Sequence, residues 1–159
     1  MARIVVLGCA GSGKSHLARR LGAQLGVPVF SLDDIWQPDW TADMTPAFRE
    51  TLTRLHAGEA WISDGNFAAV SFDIRMPRAT LVVWLERPRW LCYLRAVTRV
   101  LRGDHFHRLR GLPKALRFIA NFDQLNRPRI EALRLQYAPG VPVARLRSEE
   151  QVAQHLLCP

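Results

Sequence analysis

The chain has 159 residues, close to half of them apolar, and a formal charge of +8 carried almost wholly by arginine. That length stays well below the roughly 250 residues at which chains divide into separate cores, so a single domain over 1–159 is expected. Apolar runs such as 79–85 are far shorter than the roughly 18 to 20 residues that cross a bilayer, and the N-terminus lacks the apolar stretch of a secretory signal; the expectation is a cytoplasmic protein with no membrane span.

In chain order, "RIVVLG" predicts a first strand and Lys14–Leu25 a helix, which Gly26 and Pro28 stop before a second strand in "VPVFSLD". A helix over about 46–57 precedes a third strand in "AWISDG" and a fourth in "ATLVVWLE". Pro88 then marks the start of arginine-rich helices. Residues 103–113, "GDHFHRLRGLP", lack apolar periodicity and read as a lid between helices. "VPVARLRS" supplies a fifth strand, and a last helix is expected from about 149. Strands alternating with helices in this way predict an α/β fold, a parallel sheet layered with helices. Three cysteines, Cys9, Cys92 and Cys158, are an odd number at wide spacing, which suits neither a disulfide framework nor a zinc site, so reduced thiols are expected, with Cys9 a small buried filler. His105 and His107 in the lid have no neighbouring carboxylate or cysteine to complete a metal site.

The most informative stretch is "GCAGSGKS", which fits G-x-x-x-x-G-K-[ST] between a predicted strand and a predicted helix. Gly8, Gly11 and Gly13 permit backbone angles closed to residues with a Cβ, so the amides from Gly8 through Cys9, Ala10, Gly11, Ser12 and Gly13 can turn inward around phosphate oxygens. The helix beginning near Lys14 aims its positive end at the same place. Lys14 is expected to reach the β- and γ-phosphates of a nucleoside triphosphate, and the Ser15 hydroxyl to ligate Mg²⁺.

Acidic residues fall at predicted strand ends, where open α/β sheets bind their ligands. Asp33 is assigned to the acceptor side and Asp64 to the metal side, holding Mg²⁺ through water, whereas Asp34 reads as the cap of the following helix. In "WLCYLRAVTRVLR" the spacing of Arg95, Arg99 and Arg102 puts them on one helical face, with Leu94, Val97 and Leu101 forming an apolar face elsewhere. Turned toward the nucleotide, Arg95 and Arg99 would neutralise charge that develops during phosphoryl transfer. Arg127 and Arg129 lie beyond the lid and would approach from the far side when it closes. Between Arg87 and Arg134 there are twelve basic residues against three acidic ones, a field that suits an anionic partner.

With these motifs in place, the chain resembles the adenylate-kinase-like branch of P-loop small-molecule kinases over nearly its whole length. "WISDGNF" is similar to the strand-end Asp-Gly motif of adenylate kinases at Asp64 and Gly65, the pair Arg95 and Arg99 to their lid-opening arginines, and Arg127 to a post-lid arginine. "SLDDIW", "DGN" and "PRWLC" are similar to bacterial proteins labelled as DNA-topology-modulation or adenylate-kinase-related. The resemblance implies strand order 2-3-1-4-5, and base contacts from backbone near Arg147 and Ser148. It departs after the Asp-Gly pair: Asn66, Phe67 and Ala68 replace the aromatic, proline and phosphate-gripping arginine that serve an AMP acceptor. Asp33 is similar instead to the carboxylate that orients a hydroxyl acceptor in other kinases of this superfamily. Within an acceptor segment of about 33–58, Trp36, Trp40 and Phe48 would wall an apolar body, and Arg49 would pair with an acidic acceptor.

The expected activity is Mg²⁺-dependent transfer of the γ-phosphoryl of ATP to a small acceptor, a nucleotide or a hydroxyl compound. The alternatives are a nucleotide-dependent regulator that binds nucleic acid through the arginine-rich half, and an ATPase without a small acceptor. No Asn-Lys-x-Asp segment supports GTP.

Overall fold

The computed structural model describes residues 1–36, 44–101, 112–148 and 150–151. Among the described residues twelve strands and α-helices follow one another: β1 (Arg3–Gly8), α1 (Lys14–Leu25), β2 (Val29–Ser31), α2 (Leu32–Ile35), α3 (Thr45–Leu55), β3 (Trp61–Asp64), α4 (Ala68–Arg75), β4 (Leu81–Leu85), α5 (Arg89–Leu101), α6 (Leu112–Ala120), α7 (Arg127–Tyr137) and β5 (Val143–Leu146). A 3₁₀ turn, Met76–Arg78, extends α4, and a π turn, Phe122–Asn126, leads into α7. Trp40, Arg102, His105, His107, Cys158 and the expected lid lie outside the described residues, except that Leu112 and Pro113, assigned to the lid, open α6. Most of the expected last helix is likewise outside them.

The strands form one parallel sheet in the order β2-β3-β1-β4-β5. β1 is central and buried on both faces, which is why its sequence is a continuous apolar run rather than an alternating one. Its side chains alternate between two cores: Ile4 and Val6 pack with Leu17, Ala18 and Leu21 of α1, while Val5 and Leu7 pack with Phe72, Cys92, Ile119 and Ile130 from the helices opposite. A third, smaller core joins Leu32, Phe48 and Leu52, with Trp36 and Phe67 packed against it, and so seats α3 beside the sheet edge. Gly26, at φ 64°, ends α1 in the left-handed cap that glycine favours. No helix among the described residues is long and apolar enough to cross a membrane.

Two elements depart from their sequence expectation. Ser31, not Asp34, caps α2: its Oγ accepts from the Asp34 amide at 3.3 Å, and both aspartates occupy the first turn. On α5 two members of the expected apolar face, Leu94 and Leu101, are exposed and the third, Val97, is half-buried, while Cys92 is the buried side chain. Helical spacing fixes which residues share a face; contact with the loop after β1 decides which face turns inward.

Candidate active site

The register aligns the carboxyl ends of the strands. Val6 pairs with Asp64, Asp64 with Ser31, and Gly8 with Leu85, so the loop after β1 and the acids after β2 and β3 emerge at one edge.

The loop requires its glycines. Gly8, Gly11 and Gly13 have φ of 148°, 75° and 96°, backbone that side chains disfavour. Space closes in as well: a Cβ at Gly8 would lie 2.7 Å from the Leu85 carbonyl oxygen, and one at Gly11 2.5 Å from that of Cys92. Gly13 caps α1 without a side-chain hydrogen bond, and the first turn holds no acidic residue, which leaves the positive helix end available to an anion. Lys14 Nζ donates to the Cys9 carbonyl at 2.9 Å, lying across the loop. Buried Ser12 Oγ has no hydrogen-bond partner among the described residues.

Asn66 holds the start of this loop. Its side-chain amide donates to the Gly8 carbonyl at 2.9 Å, and its Oδ1 accepts from the Gly8 amide at 3.2 Å. Expected to meet substrate, Asn66 is thus a clamp on the loop's backbone. The turn that carries it is fixed in turn by Arg75 of α4, which is wholly buried and donates to Ser71 Oγ at 3.0 Å, Ser63 Oγ at 3.0 Å, the Gly65 carbonyl at 2.6 Å and the Asn66 carbonyl. Burial lowers its guanidinium to about 9, against the opposing pull of Asp64, so it remains charged at neutral pH. Gly65, at φ 127°, and Phe67, at 35°, shape this turn, and a Cβ at Gly65 would sit 3.1 Å from Leu32 Cβ. The sequence reading missed Arg75; the available signal was an arginine four residues after Ser71, on the face that also carries Phe72.

Asp64 is buried at the end of β3, and its Oδ1 has no hydrogen-bond partner among the described residues. Asp33 lies in the first turn of α2. Although solvent reaches its side chain, desolvation by surrounding protein raises its carboxyl above the usual range; Lys14 opposes the shift, Asp64 and Asp34 add to it, and Arg99 opposes it. Asp33, Lys14, Asp64 and Arg99 thus act on one another electrostatically. Arg95 donates to the Ser12 carbonyl at 3.2 Å, bracing α5 on the loop. Ser15 is half-buried in the first turn of α1.

On the acceptor side, Trp36 meets Phe48 edge-on at 5.1 Å, and Phe67 lies tilted against both. Arg49, expected to meet an acidic acceptor, bonds Asp73 through both terminal nitrogens, at 3.0 and 2.6 Å, and the Val70 carbonyl at 3.0 Å. Arg127 opens α7 bonded to Glu86, with Asp123 3.7 Å away, and shares a cleft of about 370 Å³ with Cys9, Arg89, Phe122 and Arg147. Glu86, which the sequence reading passed over, also takes Arg145 at 3.2 Å and Arg147 at 3.7 Å.

Solved structures with this fold include a shikimate kinase from Acinetobacter baumannii in complex with shikimate, at 16% identity and TM-score 0.63, covering 99% of this chain and 92% of that one. A shikimate kinase from Bacteroides thetaiotaomicron matches at 18% identity and TM-score 0.59, with 98% and 94% covered. A gluconokinase from Sinorhizobium meliloti 1021 matches at 16% identity and TM-score 0.56, with 98% and 87% covered. In sequence, no family model and no curated protein matches the chain. The chain therefore has the P-loop kinase fold, with its loop and acids on the sheet edge where that fold gathers ligands.

Proposed function

We propose that the protein is a small-molecule kinase that moves the γ-phosphoryl of ATP to a hydroxyl of a small organic acceptor, with Mg²⁺. The observation that carries this reading is geometric: the register brings the end of β1, which leads into the glycine loop and Lys14, beside Asp64 at the end of β3 and Ser31, which leads into Asp33, so donor and acceptor groups follow one edge of the sheet. The fold shared with shikimate kinase and gluconokinase supports a small acceptor. Arg49, neutralised by Asp73, favours a hydroxyl over a second phosphate as the group received.

The loop amides and Lys14 would hold the β- and γ-phosphates, with Arg95 and Arg99 facing charge that spreads over the transferring group. Ser15 and, through water, Asp64 would hold the cation; the buried unpaired oxygen of Asp64 fits that task. Mg²⁺ supplies charge neutralisation between the phosphates. As the acceptor oxygen bonds to the γ-phosphorus and the bond to the β-bridging oxygen breaks, Asp33 takes the hydroxyl proton. Its raised pKa makes it a stronger base and moves the acid limb of the rate profile upward.

Measurement of ATP binding and of turnover against a panel of hydroxylated acceptors tests this. Lys14→Ala is expected to lower turnover by roughly 100-fold or more. Asp33→Asn should retain ATP binding and lower transfer by about 100-fold or more, with the residual rate lacking the acid limb. Full turnover in Lys14→Ala against every acceptor would overturn the assignment.

A further inference from the structure

Two buried thiols meet where the phosphate loop touches α5. Cys9 is the second residue of the loop and Cys92 lies in the first turn of α5; both are free and belong to the same core. The two side chains are close enough that each thiol shifts the titration of the other. The backbones are pressed together beside them, since a Cβ on Gly11 would lie 2.5 Å from the Cys92 carbonyl oxygen, and Arg95 ties α5 to Ser12 one turn later. Cys9 also lines the 370 Å³ cleft, so a small solute there meets the Cys9 side of the pair.

We propose that Cys9 and Cys92 are a redox pair whose oxidation to a disulfide fastens the phosphate loop to α5 and weakens nucleotide binding. The effect on binding rests on the kinase reading above; the disulfide itself does not. The electrostatics favour reaction. The neighbouring Cys9 thiol lowers the Cys92 thiol, and Arg89, Lys14 and Arg95 pull in the same direction, so the pair releases its first proton easily.

With a peroxide as oxidant, the thiolate attacks one peroxide oxygen, the O–O bond breaks, and hydroxide leaves behind a sulfenic acid. The second sulfur then attacks the sulfenic sulfur; the S–O bond breaks, and the departing hydroxide takes the thiol proton as water. In sum, two thiols and one hydrogen peroxide give a disulfide and two waters, the sulfurs losing two electrons and the peroxide gaining them. A disulfide requires sulfurs about 2.05 Å apart, and the bond would hold Cys9 and the loop amides beside it against α5, limiting how the loop opens around a phosphate.

The test uses the full chain, reduced and then treated with a few equivalents of hydrogen peroxide, followed by peptide mapping and ATP titration. The expected result is a peptide linking Cys9 to Cys92, with ATP affinity at least tenfold weaker and restored by dithiothreitol. Cys92→Ala, or Cys92→Ser if alanine packs poorly, should bind ATP as the reduced parent does and keep that affinity after peroxide. Absence of the linked peptide, or a link with unchanged affinity, overturns the proposal. So does a Cys92 variant that loses affinity on oxidation as the parent does. A reduced protein that fails to bind ATP overturns the kinase reading and the effect on binding together, while the linked peptide still decides whether the pair reacts.

Discussion

Asn66 illustrates how one side chain can shape a loop from a distant turn. Both of its hydrogen bonds go to the backbone of Gly8, so it sets the angle at which β1 enters the phosphate loop. Removing it leaves a buried amide and carbonyl to find other partners, at a cost of about 1–3 kcal/mol. Asn66→Ala is therefore expected to lower unfolding free energy by that amount in urea titration and to weaken ATP binding as well. Lost stability with unchanged ATP affinity would show that the clamp matters to folding alone. Asn66 was legible as part of a functional motif, because "DGN" ends a strand, but its partner was not: Gly8 is 58 positions away. Arg75 was illegible for a similar reason, since only the closed turn gathers its carbonyl acceptors.

At the scale of elements, α3 and α4 are joined by the Arg49–Asp73 pair above the aromatic cluster of Trp36, Phe48 and Phe67. The hydrogen bond from Arg49 holds the Asp73 carboxyl below its usual range, so this contribution is present above about pH 4 and is lost as pH falls through the lowered value. Both side chains are about a third exposed, 38% and 34%, and solvent screening limits the pair. A double-mutant cycle with Arg49→Ala and Asp73→Ala should give a coupling of about 0.5–1 kcal/mol in unfolding free energy. A coupling near zero would mean that the aromatic cluster alone seats α3. Helix α5 teaches the complementary lesson. Its spacing separated an arginine face from a leucine face, yet Cys92 and Arg95 meet the loop while Leu94 and Leu101 face solvent.

Across the whole molecule, burial sets how stability responds to acid. His56 is fully buried at the end of α3, its Nδ1 2.8 Å from the Leu52 carbonyl and its ring edge-on to Trp61 at 4.6 Å. Desolvation lowers its pKa to about 4, with Arg75 and Arg78 acting in the same direction. The unfolded chain takes up this proton near pH 6.5 and the folded one does not, so stability falls as pH drops from about 6.5 toward 4. Between pH 7 and 4.5 His56 should account for about 2–3 kcal/mol of lost unfolding free energy. Urea titrations of the parent and His56→Asn at both pH values measure this, and equal acid losses in the two proteins would refute it. The arginine-rich half is also less open than its composition implies, because Glu86, Asp123 and Glu131 engage Arg89, Arg127, Arg134, Arg145 and Arg147.

What the sequence by itself determined is local or periodic: the glycine-rich loop with its lysine, the helix that follows, the five strands and their alternation with helices. Backbone freedom and side-chain spacing act over a few residues, so they are visible in a string. Tertiary structure alone decided which face of α5 turns inward, that Arg49 is spent on Asp73, that Asn66 and Arg75 support the loop, and that Cys9 and Cys92 share one core. Each of those outcomes depends on groups brought together from distant strands and helices, where partner geometry rather than residue type sets the chemistry.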